Sequence, residues 1–336
     1  MTDDRLARHR PAFAGKNVLV TGGLGFIGSN LAIALVELGA EVTVLDSVVP
    51  EHGANFANLE DVRDRLTINI SDMREPHALD ILVRDRDHVF HLAGQVSHGD
   101  SMREPKTDLG VNCVSTMNLV EACRHHNPKA KLLFTSTRQV YGRAKSLPVR
   151  ETDPTIPVDV NGINKLAAEY YHLLYDQVYG VPSVVLRLTN TYGPRQQIKN
   201  DRQGFIGIMI RQALRGQKLK VFGTGEQVRD FNHVDDVVEA LLLAASTDAC
   251  RGRVFNLGAR RYYSLLEFVA LLGNICEIEY ERVPFPADKR LIDIGDFYGD
   301  YSLFRDATGW EPRIELADGL EQTVAWYRAH EADYWA

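Results

Sequence analysis

Residues 17–31 read NVLVTGGLGFIGSNL, and the order of residue types in this stretch decides the architecture. Asn17–Thr21 is a short apolar run rich in β-branched side chains, the composition of a buried strand. Glycines at 22, 23, 25 and 28 follow at once, and apolar residues then recur at helical spacing from Phe26 to Leu38. The pattern is strand, tight turn, helix. Gly39 and Ala40 stop the helix, Glu41–Leu45 (EVTVL) reads as a second strand, and Asp46 stands at its C-terminal end. A βαβ unit of about thirty residues results.

Outward from this unit, strand-like runs recur at Leu66–Ile70, His88–Leu92, Lys131–Thr135 and Ser183–Leu188, with helical patterns between them, notably Ser115–His125 and Asn164–Tyr179. This alternation predicts an α/β fold with a Rossmann-type, doubly wound parallel sheet. Beyond Asn190 the rhythm breaks into a loop with Gly193 and Pro194 and a helix near Gly204–Arg215. Short strands near Lys220–Phe222 and Val254–Leu257 and helices at Val234–Ser246 and Leu265–Asn274 complete that part. The expected organisation is an N-terminal extension (1–16), a dinucleotide-binding domain (17–189) and a smaller C-terminal α/β substrate lobe (190–336) that partly crosses back to the sheet. No repeat, low-complexity tract or Gly/Ser linker separates the lobes, so they are expected to pack tightly.

With 336 residues, 45% hydrophobic and 25% charged, the chain has an ordinary globular composition and can bury a sizeable core. Its net charge of −7 argues against nucleic acid or an anionic membrane as a bulk electrostatic partner. No apolar run is long enough to span a membrane and the first residues have no apolar leader core, so the expected location is the cytoplasm. Cys113, Cys123, Cys250 and Cys276 are scattered and have no histidine at metal spacing, which predicts free thiols and no metal.

Gly22, Gly25 and Gly28 bracket Phe26 and Ile27, and glycines 23, 25 and 28 also fit GxGxxG. Without Cβ atoms the backbone can turn tightly, approach a pyrophosphate and present N–H groups at a helix N-terminus. Asp46, eighteen residues after Gly28, is placed to accept the adenosine ribose hydroxyls and to repel a 2′-phosphate, which favours NAD over NADP. Asp72, after the third strand, is similarly placed for the adenine end.

Longer motifs lie along the same chain: TGGLGFIGSNL at 21–31, HLAGQVS at 91–97, TSTRQVYG at 135–142, LRLTNTYGPR at 186–195, GTGEQVRDFNHVDD at 223–236 and GWEPRIELADGLEQTVAWY at 309–327. From about residue 17 to the end the chain resembles the extended short-chain dehydrogenases that act on nucleotide sugars as epimerases, dehydratases and decarboxylases. The resemblance implies that Leu92, Ala93 and Gly94 line the cofactor pocket, with Asn112 supporting it. It implies that Thr137 meets the sugar oxygen undergoing redox and that Lys165 grips the nicotinamide ribose. Gln95, Asn190, Arg229 and Arg290 would face the nucleotide-diphosphate sugar, two guanidinium forks suiting a pyrophosphate. It further implies a homodimer built from helices at about 112–125 and 164–179, with Tyr170, Tyr171, Leu174 and Tyr175 in the contact.

One position departs from the family pattern. The family places a tyrosine base four residues before the lysine, whereas this chain has Asn161 there, within DVNGINK. An amide does not exchange a proton near neutral pH, and a phenol of lowered pKa does. The replacement base is expected among His98, in a loop after the fourth strand, Tyr141, Tyr192, or a water held by Thr137 and Asn161, unless the sugar is one whose chemistry needs no strong base. Dehydratases of the family carry Asp-Glu directly after the threonine, where this chain has Arg138 and Gln139, and no glutamate of the decarboxylase kind falls between Thr137 and Tyr141. NAD-dependent epimerisation is therefore the expected reaction, and HLAGQVS is similar to epimerases of CDP-linked deoxysugars. The alternatives are a non-catalytic NAD and nucleotide-sugar binder, or an oxidoreductase that releases a keto product.

Overall fold

The computed structural model describes residues 3–50, 52–202 and 204–335. Among the described residues twelve strands form three sheets: β1 (Asn17–Thr21), β2 (Glu41–Asp46), β3 (Thr67–Ile70), β4 (His88–His91), β5 (Lys131–Thr137), β6 (Ser183–Leu188), β7 (Asn190–Tyr192), β8 (Leu219–Phe222), β9 (Val228–His233), β10 (Val254–Asn256), β11 (Tyr262–Ser264) and β12 (Tyr280–Val283). The main sheet runs β10-β6-β5-β4-β1-β2-β3, and every pairing in it is parallel. Val18, Leu19 and Val20 are buried, as are all four residues of β4, because helices cover both faces of a parallel sheet. Strand order reverses direction between β1 and β4, and a crevice opens there beyond the carboxyl ends of the strands.

The other sheets, β11-β9-β7 and β12-β8, pack with helices Phe205–Leu214, Leu265–Cys276 and Leu316–Ala329 around a second core that includes Phe231, Phe268 and Tyr327. Part of the C-terminal sequence belongs to the main sheet. β10 pairs with β6 as its outermost strand, and helix Val234–Ser246 buries Val237, Val238, Leu241 and Leu242 in the core shared with β1 and β2. The N-terminal extension is folded onto this body: Phe13 is fully buried against His88 and Phe90, and Arg5 pairs with Asp236 and Glu239.

Two differences from the sequence expectation bear on the site. The long helix begins at Val160, not Asn164, because Asp159 caps it, its Oδ1 accepting from the Gly162 N–H at 2.7 Å. Asn161 and Lys165 therefore sit one turn apart on a single helix. His98 is not in a loop but opens helix His98–Arg103, which Ser97 caps through the Asp100 N–H at 3.2 Å.

Candidate functional site

A cleft of about 400 Å³ lies at the switch point between β1 and β4. Its floor is the turn after β1, where Gly22, Gly25, Phe26, Ile27 and Gly28 all line it. A Cβ at Gly28 would stand 2.2 Å from the Gly22 carbonyl oxygen, so the turn closes this tightly only with glycine. Thr21 ties this turn to the one after β4, its Oγ1 accepting from the N–H groups of Leu92 at 3.2 Å and Ala93 at 3.1 Å. Sequence reasoning missed Thr21, which looks like one more β-branched strand residue.

Asp46 lines the cleft at the end of β2 and is held rigidly, Oδ2 accepting from the Leu24 N–H at 3.1 Å and Oδ1 from the Val48 N–H at 3.0 Å. Burial pushes its carboxyl up, opposed by these N–H groups. Asp72 also borders the cleft but is paired with Arg74 at 2.5 Å, whose guanidinium holds its carboxyl below the ordinary range.

Beyond β4, Leu92, Ala93, Gly94 and Gln95 form the opposite wall. Asn112 lies behind it, and both its Nδ2 (3.0 Å) and that of Asn161 (2.7 Å) donate to the Gln95 carbonyl. A Cβ at Gly94 would meet Asn112 Oδ1 at 2.7 Å and Lys165 Nζ at 3.0 Å, so glycine is what lets backbone, amide and amine converge here. Asn161 and Asn164 also donate to Asp108, a fully buried carboxylate that sequence reasoning did not single out.

Lys165 is 6% exposed, donates to the Thr135 carbonyl at 3.2 Å and stands 4.8 Å from the centre of the Phe134 ring. Burial lowers its pKa to about 8, while the charges of Asp108 and Glu169 oppose the shift. Glu169 is itself held by Ser136 and by Arg187 at 2.6 Å.

At the end of β5, Thr137 lines the cleft with Asn161, Lys165 and His98, and its Oγ1 accepts from the Gln139 N–H at 3.2 Å. His98 Nδ1 lies 2.9 Å from Asp159 Oδ2, to which Gln139 Nε2 also donates at 2.9 Å. Burial acts to raise the Asp159 carboxyl, but His98 and the Gly162 and Gln139 donors outweigh it and hold the group below the usual range. Asp159 was not foreseen, since its role rests on a contact with a residue 61 positions away.

The remaining candidates lie elsewhere. Tyr141 is buried, accepts from Arg187 at 2.6 Å, donates to Asn256 at 2.7 Å, and has its phenol pushed up to about 12, chiefly by burial. Tyr192 is fully buried and its phenol is pushed well above 10 for the same reason. Neither phenol lines the cleft. Asn190 donates to the Asp230 carbonyl at 2.9 Å, and Arg229 reaches its own neighbour's carbonyl at 2.9 Å and Asp293 at 3.4 Å. Arg290 is exposed on helix Ala287–Leu291, 5.8 Å from the Phe285 ring centre. None of these three lines the cleft. Among the described residues no cluster of His, Cys, Asp or Glu could hold a metal ion, and no helix is long and apolar enough to cross a membrane.

A parallel doubly wound sheet, a glycine turn into a helix at its switch point and a fixed acid after the second strand define a dinucleotide-binding protein of the Rossmann type. The chain belongs to the NAD dependent epimerase/dehydratase family, whose model matches residues 18–258. It is 31% identical over 317 residues to a putative UDP-glucose 4-epimerase of Methanocaldococcus jannaschii, covering 93% of this chain and 98% of that one. It is 30% identical to CDP-paratose 2-epimerase of Salmonella typhi, covering 92% and 98%. Among solved structures, UDP-glucose 4-epimerase of Thermotoga maritima superimposes with a TM-score of 0.86 at 33% identity, over 94% of this chain and 99% of that one. The cofactor is NAD, and the Gly28 turn and the anchored Asp46 fit it.

Proposed function

We propose that the chain epimerises a nucleotide-diphosphate sugar at a ring carbon and retains its NAD throughout. The observation that carries this reading is the convergence of Thr137, Lys165 and a carboxylate-backed His98 on one cleft, with no acidic side chain directly after Thr137. When bound, NAD would take hydride from the sugar carbon and return it to the opposite face. Thr137 Oγ1 accepts from backbone, which leaves its own O–H to donate to the sugar oxygen. Lys165 would hold the cofactor ribose and keep the site positive. Asn161 is committed to the Gln95 carbonyl and moves no proton; it takes up the position of the missing phenol and braces the wall.

Proton transfer then falls to His98. The ring lies 2.9 Å from the Asp159 carboxylate by Nδ1; with the proton on that nitrogen, Nε2 is the acceptor for the sugar hydroxyl proton, and the nearby Asp159 charge favours the imidazolium that forms. The His98→Ala variant is expected to lose turnover by about 100-fold or more while keeping its NAD. Unchanged turnover would remove His98 from the mechanism.

The partner proposed for the outer face of helix Val160–Tyr179 is a second copy of the chain. Ile163, Tyr170, Leu174 and Val178 recur there at helical spacing and are 55%, 62%, 49% and 58% exposed. Tyr175 is not part of that face: it is 8% exposed and its hydroxyl donates to Glu121.

A further inference from the structure

Asp108, on helix Pro105–Leu109, is fully buried, and its side-chain donors among the described residues are two amides of one neighbouring helix. Its Oδ1 accepts from Asn164 Nδ2 at 2.7 Å and its Oδ2 from Asn161 Nδ2 at 3.3 Å. Residues three and four apart share a helix face, so Asn161, Asn164 and Lys165 stand together on helix Val160–Tyr179. Asp108 is thus fixed against the face whose Asn161 and Lys165 line the cleft. A carboxylate buried with only neutral donors is costly unless a positive charge stands near it.

The amine of Lys165 answers that charge. Its own direct partners are the Thr135 carbonyl and the face of the Phe134 ring. Of the titratable groups around it, His91 on β4 and His172 on the same helix are kept neutral by burial, which pulls both imidazoles well below their usual 6.5. Glu169, one turn further along, is already paired with Arg187 of β6 at 2.6 Å. Asp108 is the carboxylate that has no cation of its own among the described residues, and its charge is the larger of the two that oppose the burial of Lys165.

The same carboxylate fixes the polarity of Asn161. The two hydrogens of Asn161 Nδ2 go to the Gln95 carbonyl at 2.7 Å and to Asp108, and neither acceptor can donate in return, so the amide cannot be reversed. We infer that Asp108 is a positioning residue of the cleft, which supplies the counter-charge of Lys165 and turns the amide oxygen of Asn161 toward the ligand. Asn161 is then a fixed acceptor for a ligand hydroxyl, and Lys165 stays a cation beside the cofactor at neutral pH. What the acceptor does in turnover rests on the nucleotide-sugar reading above; the charge and the orientation do not.

The test replaces Asp108 by asparagine, which keeps the shape and removes the charge. In ligand-free protein labelled at the lysine Cε, the Lys165 resonance is identified by its loss in Lys165→Met. It is expected to titrate at about pH 8 in the wild type and about one unit or more lower in Asp108→Asn. NAD affinity, followed by fluorescence titration across the neutral and alkaline range, should fall as the lysine loses its proton, and that limb should move to lower pH with the resonance. Asp108→Glu, which retains the charge, should restore most of both. A Lys165 resonance or an NAD limb that Asp108→Asn leaves where it is in the wild type overturns the inference. Should that variant not fold, the wild type decides: the Asn161 side-chain amide, buried with both hydrogens engaged, should exchange in D₂O about 100-fold or more slowly than an exposed asparagine amide. Exchange as fast as that of an exposed amide overturns the inference as well. No readout uses a sugar, so failure of the nucleotide-sugar reading is told apart from failure of this one.

Discussion

Replacing Lys165 by methionine should stabilise the ligand-free protein while removing its activity. Burial lowers the lysine from its ordinary 10.5 to about 8, against the opposing charges of Asp108 and Glu169, which corresponds to about 3 kcal/mol disfavouring the cation. Methionine fills a similar volume beside Phe134 and forfeits one hydrogen bond, to the Thr135 carbonyl, worth about 1 kcal/mol. The net gain at pH 7 is about 2 kcal/mol, or a rise in Tm of roughly 4 °C for a chain of this size. The sign follows from linkage. Below about pH 8 both folded and unfolded chains carry the proton and the penalty is fully present; between about 8 and 10.5 the folded amine is already neutral, and the penalty fades. The difference in Tm between variant and wild type, followed by scanning calorimetry from pH 6 to 10 (the working range of the assay, about four units), should shrink across the alkaline half. A variant that is less stable than wild type by the same amount at every pH would refute the argument.

Other perturbations probe the cofactor end and the outer face. Asp46→Ala should weaken NAD binding about 10- to 100-fold, as expected for lost hydrogen bonds to a charged acceptor, and narrow the preference over NADP; fluorescence titration with both cofactors measures this. Gly28→Ala places a methyl group 2.2 Å from the Gly22 carbonyl and should lower Tm and abolish NAD retention, read by calorimetry and by the nucleotide content of the purified protein. The double substitution of Tyr170 and Leu174 by glutamate, at positions 62% and 49% exposed, should leave the fold intact and yield monomers in sedimentation velocity if a second copy covers this face.

The residues legible in the sequence are those whose role is set locally. Gly28 and Asp46 lie within one βαβ unit, and steric and electrostatic rules apply to them without knowledge of the rest of the fold. Lys165 was legible through its motif, but its lowered pKa was not, because Phe134, Asp108 and Glu169 surround it only after the helix packs on the sheet. The start of that helix was misplaced because a capping aspartate in DVNG looks like a loop residue, and the error hid Asp159 as the partner of His98. Some crossing back of the C-terminal part to the sheet was expected, but that the strand read at Val254–Leu257 is what crosses was not, because sequence shows neither its register nor its pairing with β6. The N-terminal residues read as an extension, yet Phe13 and Arg5 are anchored by residues far along the chain.

The central claim is reversible inversion of a sugar carbon by an NAD that never leaves. The most direct test incubates the purified protein with a panel of UDP-, GDP-, CDP- and dTDP-sugars, their uronic acids included, in D₂O without added NAD, and follows the sugars by NMR. The account predicts an epimer that forms without external cofactor and with no deuterium at the inverted carbon, because hydride leaves and returns within the site. Deuterium at that carbon would replace hydride return by enolisation, and failure to convert any sugar by protein that holds NAD would contradict the account.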